Sequence, residues 1–253
     1  MTHHDTELLR ENLDPLFRVG VVSRTNDPQT TTWAAMHQDY SEGFVLDQES
    51  SWPSEEDCGL IAVKHLLKGG RGHYGPLEHA QIVFNVGWFP HSVMQQARTH
   101  RVGISFDVQS FRYTGKRVID ALEGRTDFEE VFYLRPLGHY TDRLGKKYAY
   151  TKEQRALDLK HCQASAKRYS ELLNQGYAEE HARSILPFDT RQHFVVSFTL
   201  RSFLHFMDLR SKRDAQLEIR QLCDLMWPLF FEWTPQIALW YEDNRLNKAR
   251  LSP

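Results

Sequence analysis

The chain has no cysteine pair. Its three cysteines, Cys58, Cys162 and Cys223, lie far apart with no C-x-x-C spacing, which excludes a disulfide framework and a thiolate metal site. Reduced thiols in a cytoplasmic protein are the expectation. There is no long apolar run either. The longest stretch free of Asp, Glu, Lys and Arg, from His79 to Ala97, is broken by Asn85, Pro90, His91, Gln95 and Gln96 and is too polar for a membrane span. The opening MTHHDTELLREN lacks the apolar core of a signal peptide. A formal net charge of -2 argues against sequence-independent binding to nucleic acid, which needs a basic domain. Glycine-rich phosphate cradles are missing: no G-x-G-x-x-G follows a predicted strand, and neither G-x-x-x-x-G-K-[ST] nor G-x-S-x-G occurs. The 13 histidines invite a metal, yet His3-His4, His73, His79, His91, His100, His193 and His205 fall in no spacing with ligand geometry. No metal is expected.

What is present is an ordinary globular composition, 41% apolar and 25% charged over 253 residues, consistent with one large domain spanning 1–253. Among the cations Arg outnumbers Lys by 21 to 10. Arginine's planar fork captures phosphate and carboxylate bidentately, so the surplus points to anionic ligands, unless arginine is simply favoured on this surface.

Hydrophobic spacing predicts a helix over residues 55–67, capped at Ser54 and stopped by Gly69-Gly70. Alternation of Ala80, Ile82, Phe84 and Val86 with polar residues predicts a strand. Pro90 fits the first turn of a following helix that ends near His100. The polar cluster Ser105, Asp107, Gln109 and Ser110 reads as a loop, and 116–147 as an irregular surface excursion. Residues 151–173 form a long amphipathic helix and AEEHARSIL a shorter one. A strand with Phe194, Val196 and Phe198 on one face then runs straight into the helix RSFLHFMDLR, followed by DAQLEIRQLCDLMW. Residues 1–50 are hard to read beyond a loop at 25–33. The fold class is mixed α/β (α+β): a largely antiparallel central sheet with long flanking helices, not a doubly wound sheet.

The densest polar constellation is QQARTHRVGISFDVQSFRY. On a helix Gln95, Arg98 and Thr99 share a face, and Arg98, His100, Arg101 and Arg112 gather cationic donors beside the Ser110 hydroxyl. Such a group can clamp a phosphate; equally, it could be a solvated basic helix end. A second series comprises Arg183, Arg201, Arg210 and His205, with Arg201 and His205 one turn apart. His79 follows Glu78 at the mouth of the first strand.

Together these segments resemble the flavin-dependent thymidylate synthase family. Its R-H-R, seven residues, Ser, then Arg-Tyr is matched by Arg98-Thr99-His100-Arg101, eight residues, then Ser110-Phe111-Arg112-Tyr113. Pro76-Leu77-Glu78-His79 resembles P-F-E-H, and Gln95 or Gln96 the glutamine of R-Q-W-F. Ala182 to Pro187 is similar to A-R-x-x-L-P, Thr199 to Ser202 to N-x-R-S, Phe206 to Arg210 to F-x-x-L-R, and Ala215 to Ile219 to A-Q-x-E-I. In R-T-H-R, either Arg98 is the family's first arginine displaced by an insertion or Thr99 replaces it.

The resemblance implies a homotetramer with active sites between subunits. It implies methylation of dUMP to dTMP with 5,10-methylenetetrahydrofolate as carbon donor and FAD, recharged by NADPH, as reductant. By position dUMP would be held by Gln95, Gln96, Arg98, Gln109, Ser110, Phe111, Arg112, Arg183 and Arg210, with Arg112 and Arg183 on the phosphate and Arg210 activating the pyrimidine. FAD would meet His79, Gln81, Arg98, Thr99, His100, Arg101, Thr199, Leu200, Arg201 and His205. Neither nucleic acid nor membrane is an implied partner. The competing reading is a non-catalytic nucleotide- or RNA-binding module that uses the same arginines with Phe111, Tyr113 and Phe194 as stacking surfaces.

Overall fold

A computed structural model describes residues 13–68, 72–142, 144–246 and 248. The expected Gly69-Gly70 helix stop and the polar N-terminal segment, His3-His4 included, lie outside the described residues. In chain order the main elements are β1 (Arg18–Arg24), α1 (Pro28–Gln38), α2 (Glu55–Ala62), β2 (Gln81–Pro90), α3 (His91–Ala97), β3 (Ile104–Val108), α4 (Lys116–Leu122), β4 (Gly138–Thr141), β5 (Lys147–Tyr150), α5 (Lys152–Asn174), β6 (Arg191–Thr199), α6 (Leu200–Arg210), α7 (Leu217–Trp233) and α8 (Pro235–Asn244). The central sheet has the order β1-β2-β6-β3, and each neighbouring pair is antiparallel. No helix among the described residues is long and apolar enough to cross a membrane.

Alternation builds the core face. Ile82, Phe84 and Val86 of β2 pair with Phe198, Val196 and Phe194 of β6, and all six side chains are buried. Helices α6 and α7 cover them: the Phe203 ring lies 5.8 Å from Phe84, 5.4 Å from Phe198 and 4.3 Å from Phe230. Burying each such ring stabilises the fold by about 1.5–3 kcal/mol. The helix ends follow local chemistry. The Ser54 hydroxyl accepts from the Asp57 N–H to cap α2, Thr151 and Gln154 form a capping box on α5, and Thr199 caps α6 directly off the strand.

Four expectations are corrected. The polar cluster at 105–110 is not wholly loop, because Ile104–Val108 pairs with β6 as an edge strand; its polar alternate residues face outward, as an edge allows. The loop expected at 25–33 gives way at Pro28 to helix α1, and the residues before it form β1. Pro90 ends β2 and sits at the N-cap, one residue before the helix. Segment 116–147 is more than a surface excursion. Val118, Ala121, Val131, Phe132 and Leu134 are buried in a second core with Cys162, Ala166, Tyr169 and Leu172 of α5. Few of these apolar residues follow a helical or strand period, which hid them.

Arg191 joins the two cores. Its side chain is 1% exposed. Its Nη2 donates to Asp14 Oδ2 at 2.6 Å, its Nη1 to the Trp88 carbonyl at 2.8 Å and its Nε to the Glu129 carbonyl. Its own carbonyl accepts from Arg117 Nη2 at 2.6 Å. A buried cation left without its counter-ion is expensive. Asp14→Ala is therefore expected to lower the unfolding free energy by roughly 3–5 kcal/mol, with Asp14→Asn, which keeps one acceptor, losing less. Urea denaturation measures both; a loss within about 0.5 kcal/mol for Asp14→Ala, the range of an ordinary surface change, contradicts this account.

Candidate active site

Helix α3 leaves β2 at Pro90 and ends with Arg98 as its C-cap. The chain then tightens: Thr99 N–H reaches the Gln96 carbonyl at 3.3 Å and His100 N–H the Ala97 carbonyl at 3.1 Å. This turn receives the last residue of α6. Arg210 Nε donates to His100 Nε2 at 3.0 Å, and Nη2 donates to the Gln96 carbonyl at 3.2 Å and to Thr99 Oγ1 at 2.7 Å. Three of the five guanidinium N–H groups are thereby engaged, which leaves the Nη1 pair, without a partner among the described residues, for a ligand. Partial burial lowers the Arg210 pKa from its ordinary value.

His100 is buried. Burial first, then the neighbouring Arg210 and His205 charges, pushes its pKa down to about 4. The ring is neutral near pH 7, and its tautomer follows from its partner. Arg210 can only donate, so Nε2 carries the lone pair and Nδ1 the proton. That Nδ1 is buried with no hydrogen-bond partner among the described residues, as a group awaiting a ligand acceptor would be. The His205 ring stands 5.1 Å away, and burial lowers its pKa too.

The two glutamines separate. Gln95 is exposed and bonds to His91 Nε2 at 2.8 Å, whereas Gln96 is half-buried and donates from Nε2 to Gln216 Oε1. It is Gln96 that shares the Arg210 cluster. Thr99 and His100 are the residues of R-T-H-R that meet Arg210, while Arg98 and Arg101 are exposed.

The start of α6 lies ten residues before Arg210, roughly 15 Å along the helix. The Thr199 hydroxyl accepts from Ser202 N–H at 3.2 Å, and Thr199 N–H donates to the Gly103 carbonyl at 2.9 Å. Gly103 has φ +67°, and a Cβ there would meet Thr199 Oγ1 at 2.6 Å, so this approach requires glycine. Arg201 Nη1 pairs with Glu78 Oε1 at 2.6 Å and lies over the Tyr74 ring. His79 and Gln81 are exposed at the mouth of β2. Leu200 is fully buried, so its side chain belongs to the core and only its main chain is left for a cofactor contact.

A second cationic group forms elsewhere. Ser110 Oγ accepts from Arg112 N–H at 3.3 Å and from Arg183 Nη1 at 3.3 Å, and Arg112 Nε pairs with Glu180 Oε2 at 3.2 Å. Gln109 donates its N–H to the His193 carbonyl at 2.9 Å, and its Oε1 is buried with no hydrogen-bond partner among the described residues. Phe111 packs in the second core beneath the Arg117 guanidinium, 4.4 Å from its ring centre, so its ring is not presented to a nucleotide. Ser110 and His100 flank opposite ends of β3, whose five residues span roughly 13 Å. No hydrogen bond or ion pair among the described residues links the two groups. A cavity of about 390 Å³ lined by Tyr133, Arg135, Tyr150, Asp158, His161 and Asp189 contains none of these site residues.

The donor set at Arg210 fits a ligand with adjacent carbonyl acceptors, and the exposed Arg98 and Arg101 fit phosphate nearby. His100 supplies a pH test. Its folded pKa of about 4 lies below the ordinary histidine value of 6.5, so the unfolded chain takes up its proton first. Its contribution to stability is intact above about pH 6.5 and falls progressively as pH drops from there to 4. Unfolding free energy measured between pH 7 and 4 is expected to fall more steeply in the wild type than in His100→Gln; equal slopes contradict the buried neutral ring.

Comparison with known proteins places the chain in a family. The family model described as thymidylate synthase complementing protein matches residues 20–236. The flavin-dependent thymidylate synthase of Haloarcula marismortui is 33% identical over 250 residues, covering 93% of this chain and 99% of that protein. Its namesake from Halobacterium salinarum is 31% identical, with 93% and 100% covered. Among solved structures, the UMP/dUMP methylase PolB from Streptomyces cacaoi bound with 5-Br dUMP superposes with a TM-score of 0.73 at 20% identity, over 94% of this chain and 97% of that one; it shares the fold. With a family model spanning most of the chain and relatives this similar along nearly their whole length, the chain belongs to the flavin-dependent thymidylate synthase family.

Proposed function

We propose that this protein converts dUMP to dTMP, with residues 1–253 acting as one catalytic unit in a cytoplasmic homotetramer. The observation that carries this reading is the Arg210 guanidinium, braced by Gln96, Thr99 and His100 with its Nη1 donors uncommitted among the described residues. A donor pair held in place by these bonds stabilises negative charge as it develops on the pyrimidine edge and so raises the nucleophilicity of C5. Arg112 and Arg183, joined through Ser110, hold the nucleotide phosphate, and a phosphate would take the place of Glu180 on Arg112. Gln96, Arg98 and the main chain at 109–111 complete the dUMP contacts. Because the two cationic groups stand at opposite ends of β3, the phosphate group of one subunit serves the Arg210 group of another.

His79, Gln81, Arg98, Thr99, His100, Arg101, Thr199, Arg201, His205 and the Leu200 main chain are the residues that would hold FAD, with the orphaned His100 Nδ1–H donating to a carbonyl or ring nitrogen. When bound, FAD supplies reducing equivalents drawn from NADPH, and 5,10-methylenetetrahydrofolate supplies the carbon. No protein thiol takes part. Cys58, Cys162 and Cys223 are all buried, and burial raises each thiol pKa, that of Cys162 to about 11, whereas the thiolate is the nucleophilic form.

Replacing all three cysteines by Ala should leave dTMP formation measurable in a variant that still folds and binds FAD and dUMP; abolished turnover in such a variant would sink the thiol-free route. Arg210→Ala should stay yellow and oxidise NADPH, yet lose ~10²–10³ in single-turnover rate at saturating dUMP. Arg112→Ala should chiefly weaken dUMP binding, since a phosphate contact equal in ground and transition states reports in KM. An unchanged single-turnover rate in Arg210→Ala moves the activating role to another arginine.

A further inference from the structure

The segment Ala215-Gln216-Leu217-Glu218-Ile219 has so far no role, yet it supplies the most connected polar group behind the site. Glu218 is 3% exposed at the start of α7. Its Oε1 accepts from the Tyr133 hydroxyl at 3.0 Å and its Oε2 from Gln216 Nε2 at 2.7 Å. Burial and the Glu218 charge keep Tyr133 a phenol by raising its pKa far above the ordinary value, so that hydroxyl donates. The same Gln216 Nε2 donates to Ser92 Oγ at 3.1 Å. Gln216 Oε1 accepts from Gln96 Nε2. The Gln96 main-chain carbonyl, in turn, receives Arg210 Nη2 and the Thr99 hydroxyl, at 3.2 and 2.8 Å.

The order of donors in this chain is forced. A carboxylate only accepts, so Gln216 must turn its NH₂ toward Glu218, and with both of those hydrogens engaged it offers Gln96 only its oxygen. Gln96 must then turn its own NH₂ toward Gln216. Its Oε1 is left as the free end of that amide, with no partner among the described residues. An amide flip at Gln96 would set its oxygen against the oxygen of Gln216, and a mispaired buried polar group is costly.

We propose that Glu218, acting through Gln216, is a positioning residue that locks the Gln96 side-chain amide with its carbonyl oxygen toward the bound nucleotide. The site thereby presents a fixed acceptor next to the Arg210 donors, and it favours a ligand edge that alternates donor and acceptor as uracil does at N3–H and its flanking carbonyls. Cytosine, with an acceptor at N3 and an amino group at C4, offers the opposite pattern. This inference rests on the reading of the Arg210 turn as the dUMP site.

Glu218→Gln tests it, because the new side chain keeps the shape and an oxygen for Tyr133 while replacing one acceptor by a donor. The introduced amide then turns its NH₂ to Gln216 Oε1, Gln216 turns its NH₂ to Gln96, and Gln96 reverses. Neutron diffraction of the wild type and of this variant reads the amide orientations directly, and calorimetry reads dUMP binding independently of turnover. The expected results are Gln96 Oε1 away from Gln216 in the wild type, a reversed amide in Glu218→Gln, and a loss of dUMP affinity of roughly tenfold to a hundredfold. Gln96→Glu, acceptor-only, should weaken the wild-type network but be tolerated better in the Glu218→Gln background, so that the double variant melts higher than the two single effects sum to. A merely structural glutamate would give additive losses and an unchanged Gln96 amide. Either of those results overturns the proposal, as does dUMP affinity in Glu218→Gln within about threefold of wild type while the wild type binds dUMP. If the wild-type orientation is as stated and dUMP nevertheless does not bind at all, the positioning chain stands and the substrate assignment falls.

Discussion

A guanidinium taken out of water needs a partner at each of its nitrogens, and Arg191 finds all three only if several distant segments arrive together. Its ion pair with Asp14 and its bonds to the Trp88 and Glu129 carbonyls fix the N-terminal segment, the end of β2 and the second core relative to the first residue of β6. Trp88 is held at φ +64°, a conformation that costs about 1–3 kcal/mol in a residue with a side chain. The Arg191 bond to its carbonyl and the Arg18 and His193 contacts to its ring offset that cost. The irregularity falls where the β2–β6 register shifts between Val86 and Phe89, as a bulge does. Strand β6 is then bonded on both sides and ends at Thr199, where α6 begins, and α6 delivers Arg210. The position of Arg210 is thus inherited from the buried Arg191 through a continuous strand and helix, the strand alone spanning roughly 26 Å at about 3.3 Å per residue.

The site uses neutrality as much as charge. Arg210 is the cation, and its ligands within the fold are two neutral oxygens and a neutral imidazole. No carboxylate touches it in the described hydrogen bonds, so its charge is not cancelled before a substrate arrives. A protonated His100 could not accept from Arg210 Nε, and the depressed pKa keeps that acceptor available throughout the neutral range. Thr99 has the same merit: its hydroxyl accepts from Arg210, which an arginine at that position could not do. The R-T-H-R departure therefore has a structural account.

Much of this was legible in the sequence because it is local. Strands β2 and β6 show clean alternation, α5 carries an amphipathic period, and β6 runs into α6 without a linker. The six motif blocks pointed to the family. Strand β3 was missed because the outward half of an edge strand is polar, so Ser105 and Asp107 looked like loop. The second core was missed because Val118, Val131 and Phe132 bury against α5 without a period of their own. Long-range polar pairs left no trace at all: Asp14 and Arg191 are 177 residues apart, and Tyr133 and Glu218 are 85 apart. The choice between Gln95 and Gln96 needed Gln216, and sequence spacing could not supply it. Phe111 and Leu200 matched motifs by position, but burial turns both side chains inward.

On the proposed assembly, one subunit's Arg210 group works with another subunit's Arg112 group. Mixing two impaired variants tests it most directly. Arg210→Ala and Arg112→Ala are purified separately, unfolded and refolded together in equal amounts, and dTMP formation is measured at low dUMP. Sites shared between subunits predict that about one quarter of the sites in the mixture carry both wild-type halves, so activity should rise toward a quarter of wild type. If both halves of each site come from one chain, no complete site can form, and activity no higher than the mean of the two variants alone would contradict the account.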